Sequence, residues 1–149
     1  MGKLGRHDEA IQLLHAAVEL NPNFFFTRQN LGNEYLAKGK PELAVAEFQA
    51  AQDVPSLGYA YAVNGQKHEA ERVLEQLHRN PLTNSFDLAI VNAGLGRTTE
   101  AFDLLEQAHR ERILWLMFLR VDERLASLRG DPRFELIGRQ MRIPMPRSY

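Results

Sequence analysis

The sequence predicts an all-α fold of antiparallel helix pairs closed by C-terminal capping helices. Three observations carry this. First, a Gly-led phrase occurs four times: "LGRHDEA" at 4–10, "GKPELA" at 39–44, "GQKHEA" at 65–70 and "GRTTEA" at 96–101. Second, Ala10, Leu14 and Ala17 are matched 34 residues later by Ala44, Phe48 and Ala51. Small, large and small residues at i, i+4 and i+7 lie on one helical stripe, where alanine admits a neighbouring helix and the larger residue fills the space between. Third, no segment alternates with the period of two that a half-buried strand needs.

The units follow in order. Residues 1–23 read as half a unit holding a second helix alone, with the turn Gly5 and a helix over 8–20. Residues 24–54 make a complete unit, with helices over 24–38 and 41–53. Gly39 ends the first of these, where a left-handed residue is needed, and Pro41 opens the second, where its missing N–H costs nothing. Residues 55–81 form a shortened unit, with helices over 56–64 and 67–79, because Ala44 and Ala70 are only 26 residues apart. That deficit from 34 is about two helical turns, so its first helix is stubby or the preceding one ends early at Val54-Pro55. Residues 82–110 restore a longer spacing of 31 from Ala70 to Ala101, with helices over 83–95 and 98–110.

Residues 111–149 lack the repeating phrase and are expected to cap the stack, with short helices over 113–119, 122–128 and 131–141. Asp122 and Asp131 stand at N-cap positions and Pro132 at a first helical position. The end of a helical stack otherwise exposes an apolar face, and Trp115, Leu116, Phe118 and Leu119 are the expected plug.

Composition narrows the function. The 149 residues (17.0 kDa) are 44% hydrophobic and 25% charged, with mean hydropathy −0.36, which suits one domain. The longest apolar run, "ILWLMFL" at 113–119, is far short of the ~18 residues that suggest a membrane span. "MGKLGRHDEA" has no signal-peptide core, so a cytoplasmic location is expected. The absence of cysteine excludes disulfides, thiolate metal sites and cysteine nucleophiles. Net charge is −1, yet from Arg110 onward nine Arg face five acidic residues. These are interleaved, as on solvated helix faces, and match no nucleic-acid reader. The five His show no helical ligand spacing, and paired carboxylates at Asp8/Glu9 and Asp122/Glu123 lie at helix starts, where they complement the dipole. The "RGD" at 129–131 has its Asp committed to a cap. No catalytic residue, metal site or cofactor is therefore expected.

The complete unit carries Leu31-Gly32, Tyr35, Gly39, Ala44, Phe48, Ala51 and Pro55. In this pattern the chain resembles the tetratricopeptide repeat family, which implies a TPR-type α-solenoid, a right-handed superhelix of antiparallel helix pairs. The third unit repeats it with Leu57-Gly58, Tyr61, Gly65, Ala70 and Leu74, and the fourth with Leu88, Ala89, Gly96, Ala101, Leu105 and Ala108. The aromatic that the family places early in the repeat is replaced by Arg28, with Phe24–Phe26 upstream as the expected substitute. The segment with Trp115-Leu116, Val121-Asp122 and Asp131-Pro132-Arg133-Phe134 is similar to the closing segment of repeat regions in bacterial multidomain regulators, kinases and cyclases, with Leu125 where that pattern has Phe.

The resemblance implies a non-catalytic interaction module or scaffold whose first helices line a concave groove for a protein or peptide. By register the groove positions are Phe26, Gln29, Asn30 and Asn33 in the complete unit. Tyr59 and Val63 hold them in the shortened unit, and Phe86, Asp87 and Ile90 in the fourth. Lys and Arg are missing from these positions, so a clamp for an acidic chaperone tail, which needs charge-assisted donors, is not expected. Asn30 and Asn33 suit a peptide backbone, and the aromatics an apolar contact or packing between repeats. The C-terminal helices could themselves fill the groove. Because the first helix lacks its partner within the repeat, its face with Ile11, Leu14 and Val18 is a candidate homodimer contact. The alternative is that the chain is a regulatory or sensory segment of a larger bacterial transcription regulator, kinase or cyclase. Neither a membrane nor a nucleic-acid partner is expected.

Overall fold

A computed structural model describes residues 3–140, with side chains from residue 5. The described residues form eight α-helices and two 3₁₀ helices and contain no strand. The helices are α1 (Lys3–Leu20), α2 (Phe25–Ala37), α3 (Pro41–Ala51), α4 (Val54–Val63), α5 (Lys67–Arg79), α6 (Ser85–Gly94) and α7 (Thr98–Arg110). The 3₁₀ helices Leu114–Phe118 and Glu123–Leu128 follow, and α8 (Pro132–Gln140) ends the described chain. Each α-helix from α1 to α7 packs on its chain neighbour, and α4 also lies directly on α6. The second 3₁₀ helix rests on α6, the first on α7, and α8 on α7. This is a TPR-type helical solenoid.

Three glycines produce the hairpins. Gly39, Gly65 and Gly96 have φ of 71°, 77° and 75°, the left-handed conformation that closes a helix without a Cβ penalty. Gly5, expected to be a fourth such turn, lies inside α1 and shows no positive φ. It is exposed with open space around it, so nothing there demands the left-handed state, and the helix runs five residues ahead of its expected start at residue 8.

The shortened unit uses both economies. Helix α3 ends at Ala51 on left-handed Gln52 (φ 55°), and α4 is only 10 residues long. Asp53 bridges the two, its carboxylate accepting from Ser56 N at 3.3 Å as the N-cap of α4.

Close approach explains the helical glycines. A Cβ on Gly32 would lie 2.6 Å from Phe48 Cε1, and one on Gly58 would lie 2.7 Å from Val73 Cγ1. Removing the side chain lets α2 meet α3, and α4 meet α5, at a separation that alanine would prevent.

The core is distributed along the stack. Ala44, Phe48 and Ala60 form a cluster among α2, α3 and α4, while Val73, Leu74 and Leu77 pack with Val91 between α5 and α6. The largest cluster joins Phe86, Ile90, Phe102 and Leu105 to Leu119, Leu125 and their C-terminal neighbours. Repeat proteins are held by such nearest-neighbour interfaces.

The caps form as the sequence indicates. Asp122 accepts from Arg124 N at 3.0 Å and Asp131 from Arg133 N at 2.9 Å. Leu125 is fully buried and joins the C-terminal core cluster. The plug needs correction. Leu116 and Leu119 are buried, but Trp115 is 58% and Phe118 44% exposed. The run folds as a 3₁₀ helix, whose period of about three sends 116 and 119 to one side and 115 and 118 to another. The Phe substitute is corrected likewise. Phe24, Phe25 and Phe26 are about half exposed and stack on one another, with the Phe25 and Phe26 centroids 4.1 Å apart. Arg28 instead ties α2 to its surroundings, donating to Pro22 O and to Glu47 Oε2, each at 3.1 Å.

Candidate functional site: a groove between the second helix and the C-terminal cap

Three adjoining cavities run between α2 and the C-terminal segment. The first, about 400 Å³, lies among Leu36, Pro41, Tyr59, Val63 and Glu123. The second, about 500 Å³, shares Leu36 and Glu123 with it and is lined further by Asn30, Asn33, Trp115 and Phe118. The third, about 180 Å³, shares Gln29, Phe86, Trp115 and Arg124 with the second and adds Asp53 and Asp87. Shared walls make these one trough.

Of the positions named by register, Gln29, Asn30, Asn33 and Phe86 line the second cavity. Tyr59 and Val63 line the first, and Asp87 and Ile90 the third. Phe26 lines none of the three; it stands on the same α2 face one turn before Asn30, half exposed in the Phe cluster. The nine are not equivalent. Phe86 (2% exposed) and Ile90 (1%) belong to the core beneath the groove, whereas Asn30 and Asn33 are exposed. Among the described residues neither Asn side chain has a hydrogen-bonding partner, while Gln29 Nε2 donates to Asp53 Oδ2 at 2.6 Å.

The opposite wall was not assigned from repeat register, because it comes from outside the repeats. Trp115, Phe118, Val121, Asp122, Glu123 and Arg124 of the C-terminal segment face the α2 amides across the second cavity. The cap thus does not fill the groove; it forms its other side. A signal existed in the 3-residue spacing of Trp115 and Phe118, but only a 3₁₀ assignment makes it readable.

Arg124 organises the floor. Its Nε and Nη2 donate to the two Asp122 carboxylate oxygens at 2.9 and 2.7 Å, a bidentate fork. Its Nη1 reaches Ser56 Oγ at 2.9 Å, joining the cap to buried Ser56 in α4. Burial pulls the guanidinium pKa down, but the Asp122 hydrogen bonds, with Asp122, Asp53 and Asp87 charges, more than restore it. Arg124 therefore stays charged.

Asp87 sits in the first turn of α6, below Asn84, whose Oδ1 accepts from Asp87 N at 3.0 Å. Burial pushes its carboxyl up from the ordinary value, and the nearby Asp53 charge adds to this, against the pull of the Asn84 backbone N–H and of Arg124. Tyr59 is likewise raised, mainly by burial. Among the described residues no side chain donates to the Asp87 carboxylate, and no three His, Asp or Glu side chains are placed to hold a metal ion. No helix among them is long and apolar enough to cross a membrane.

The tetratricopeptide repeat family model matches residues 2–24 and 27–55, covering α1 to the start of α4. No match to a curated protein or to a solved structure is significant. Residues 2–55 are thus similar to tetratricopeptide repeats, and the turn glycines, the small residues at helix crossings and the paired packing continue the same pattern through α7.

Proposed function

We propose that this protein is a non-catalytic interaction module that holds a protein segment in the trough between α2 and the C-terminal cap. Tetratricopeptide repeats generally mediate protein–protein interaction, and the family is typically non-catalytic. The observation that carries the reading is unspent binding capacity in one place. Asn30 and Asn33 offer free amides on one wall, and Trp115 and Phe118 offer exposed rings on the other. Amides suit an extended backbone and aromatic rings suit apolar side chains, the usual division of labour in peptide recognition. Capture from the native host tests it, comparing the wild type with an Asn30→Ala/Asn33→Ala/Trp115→Ala variant. All three positions are exposed, so the variant is expected to keep its melting temperature and lose a partner that the wild type retains. Equal retention by both proteins sinks the groove as the binding site.

Self-association through α1 is the second part of the proposal, favoured by Leu13 and Leu20, which are 73% and 88% exposed. Ile11, Leu14 and Val18 are half-buried, with α2 packed on α1, so these two leucines extend the apolar strip outward. Light scattering over a concentration series is expected to show a dimer that Leu13→Glu/Leu20→Glu abolishes. A monomer at every concentration rejects it.

A further inference from the structure

The trough is more acidic than its repeat-register positions suggest. Asp53, Asp87, Asp122 and Glu123 line its second and third cavities against a single cation, Arg124. Each Arg124 nitrogen already donates, two to Asp122 and one to Ser56, and both Asp53 oxygens are used, one by Gln29 and one by Ser56 N. The Asp87 carboxylate has the Asn84 backbone N–H beside it but no side-chain donor among the described residues, and it lies in the same 180 Å³ cavity as Trp115. A liquid water takes about 30 Å³, so this cavity accommodates an ammonium or guanidinium group.

From this placement we infer that the partner segment is basic, and that it anchors through a Lys or Arg whose charged head enters the third cavity between Asp87 and Trp115. The inference rests on the groove reading above and specifies its partner. Three pieces of chemistry converge on it. A carboxylate in a sheltered site interacts more strongly with a cation than one in open water. An indole face attracts a cation, adding to the ion pair. The neighbouring cavity, with Trp115, Phe118 and Val121 exposed along one wall and Asn30 and Asn33 along the other, fits an apolar residue and the backbone that carries it. An acidic segment meets the opposite condition, since every carboxylate it brings lies near carboxylates that Arg124 already only partly balances. The raised Asp87 carboxyl agrees with this, because an incoming cation relieves the cost of its burial.

Panning a random phage-displayed peptide library on the immobilised protein tests the charge class without assuming a partner. Selected sequences are synthesised with a fluorescein label and titrated by anisotropy. The expected peptides carry a Lys or Arg beside an apolar residue, and lose affinity about tenfold when that cation becomes Gln. Asp87→Asn should cost a similar factor, Asp87→Glu less, and Asp87→Asn should add little once the peptide cation is gone. Thermal melts of both variants control for folding. Peptides that need Asn30 and Trp115 but carry neutral or acidic anchors, or that ignore Asp87→Asn, overturn the basic anchor and leave the groove reading standing. No selected peptide that depends on Asn30 and Trp115 overturns both.

Discussion

Phe48→Ala is expected to destabilise the protein by about 3–5 kcal/mol, the usual cost of emptying a fully buried aromatic position. Phe48 is completely buried on α3 and faces the Gly32 backbone of α2, so its ring is the main filler of the N-terminal core cluster. For a chain of this size the loss corresponds to a melting temperature lower by about 10 °C. Because the core is a string of neighbouring clusters, the damage should be local. Hydrogen exchange is expected to lose protection in α1 to α3 while α6 and α7 keep theirs. A control separates cavity from general weakening. Gly32→Ala puts a methyl 2.6 to 2.9 Å from three Phe48 ring atoms, which should cost about 1–3 kcal/mol in the wild type. In the Phe48→Ala background that obstacle is gone and the methyl enters the cavity, so Gly32→Ala should become neutral or stabilising. Additive effects of the two substitutions would refute the claim that the ring and the glycine form one contact.

The same contrast between periodic core and aperiodic groove explains how much was legible in the sequence. The helices over 67–79 and 98–110 have their predicted limits, because strong amphipathic runs and turn glycines bracket both. Ala44, Phe48, Ala70 and Ala101 are each buried, as their helical spacing requires. The phrase around Gly5 matches three real turns, yet Gly5 is helical, because the likeness of the phrase does not determine the backbone state at that position. The α2 side of the groove follows from register, since a repeat places equivalent residues on equivalent faces. The far wall does not. Trp115, Phe118 and Arg124 belong to a non-repeating segment, and the Arg124–Ser56 contact spans 68 residues of sequence. Hydrophobic pattern alone places Trp115 in the core; the 3₁₀ twist that exposes it follows from where Leu116 and Leu119 find a buried site.

Arg124→Gln is expected to cost about 2–3 kcal/mol and to make stability depend on pH in a direction opposite to ordinary acid denaturation. The Arg124 side chain is 21% exposed and holds Asp122 in a bidentate pair, with Asp53 and Asp87 close enough to contribute charge. Removing one member of a sheltered pair leaves the others uncompensated, and the groove's access to water lowers the penalty below the roughly 3–5 kcal/mol of a fully buried pair. Asp53 at the N-cap of α4, Asp87 on α6, and Asp122 and Glu123 of the cap would then repel one another, with Arg129, 3.8 Å from Glu123 and donating to Asp122 O at 3.1 Å, as the remaining cation. Asp87 already titrates above the ordinary carboxyl value in the native protein, chiefly through burial. A group whose folded pKa is raised binds a proton in the folded chain before the unfolded chain does. In the window from that raised value down to the unfolded value of about 3.9, the folded state therefore holds more protons, and its stability rises as pH falls. Without Arg124 the window widens upward, so urea denaturation of Arg124→Gln should show a larger recovery as pH falls from neutral toward the carboxyl range than the wild type shows. Arg124→Lys, which keeps the charge but not the fork, should fall between the two and show little recovery. A pH-independent deficit in Arg124→Gln would mean that the loss lies in the Ser56 and Asp122 hydrogen bonds rather than in the carboxylates that Arg124 balances.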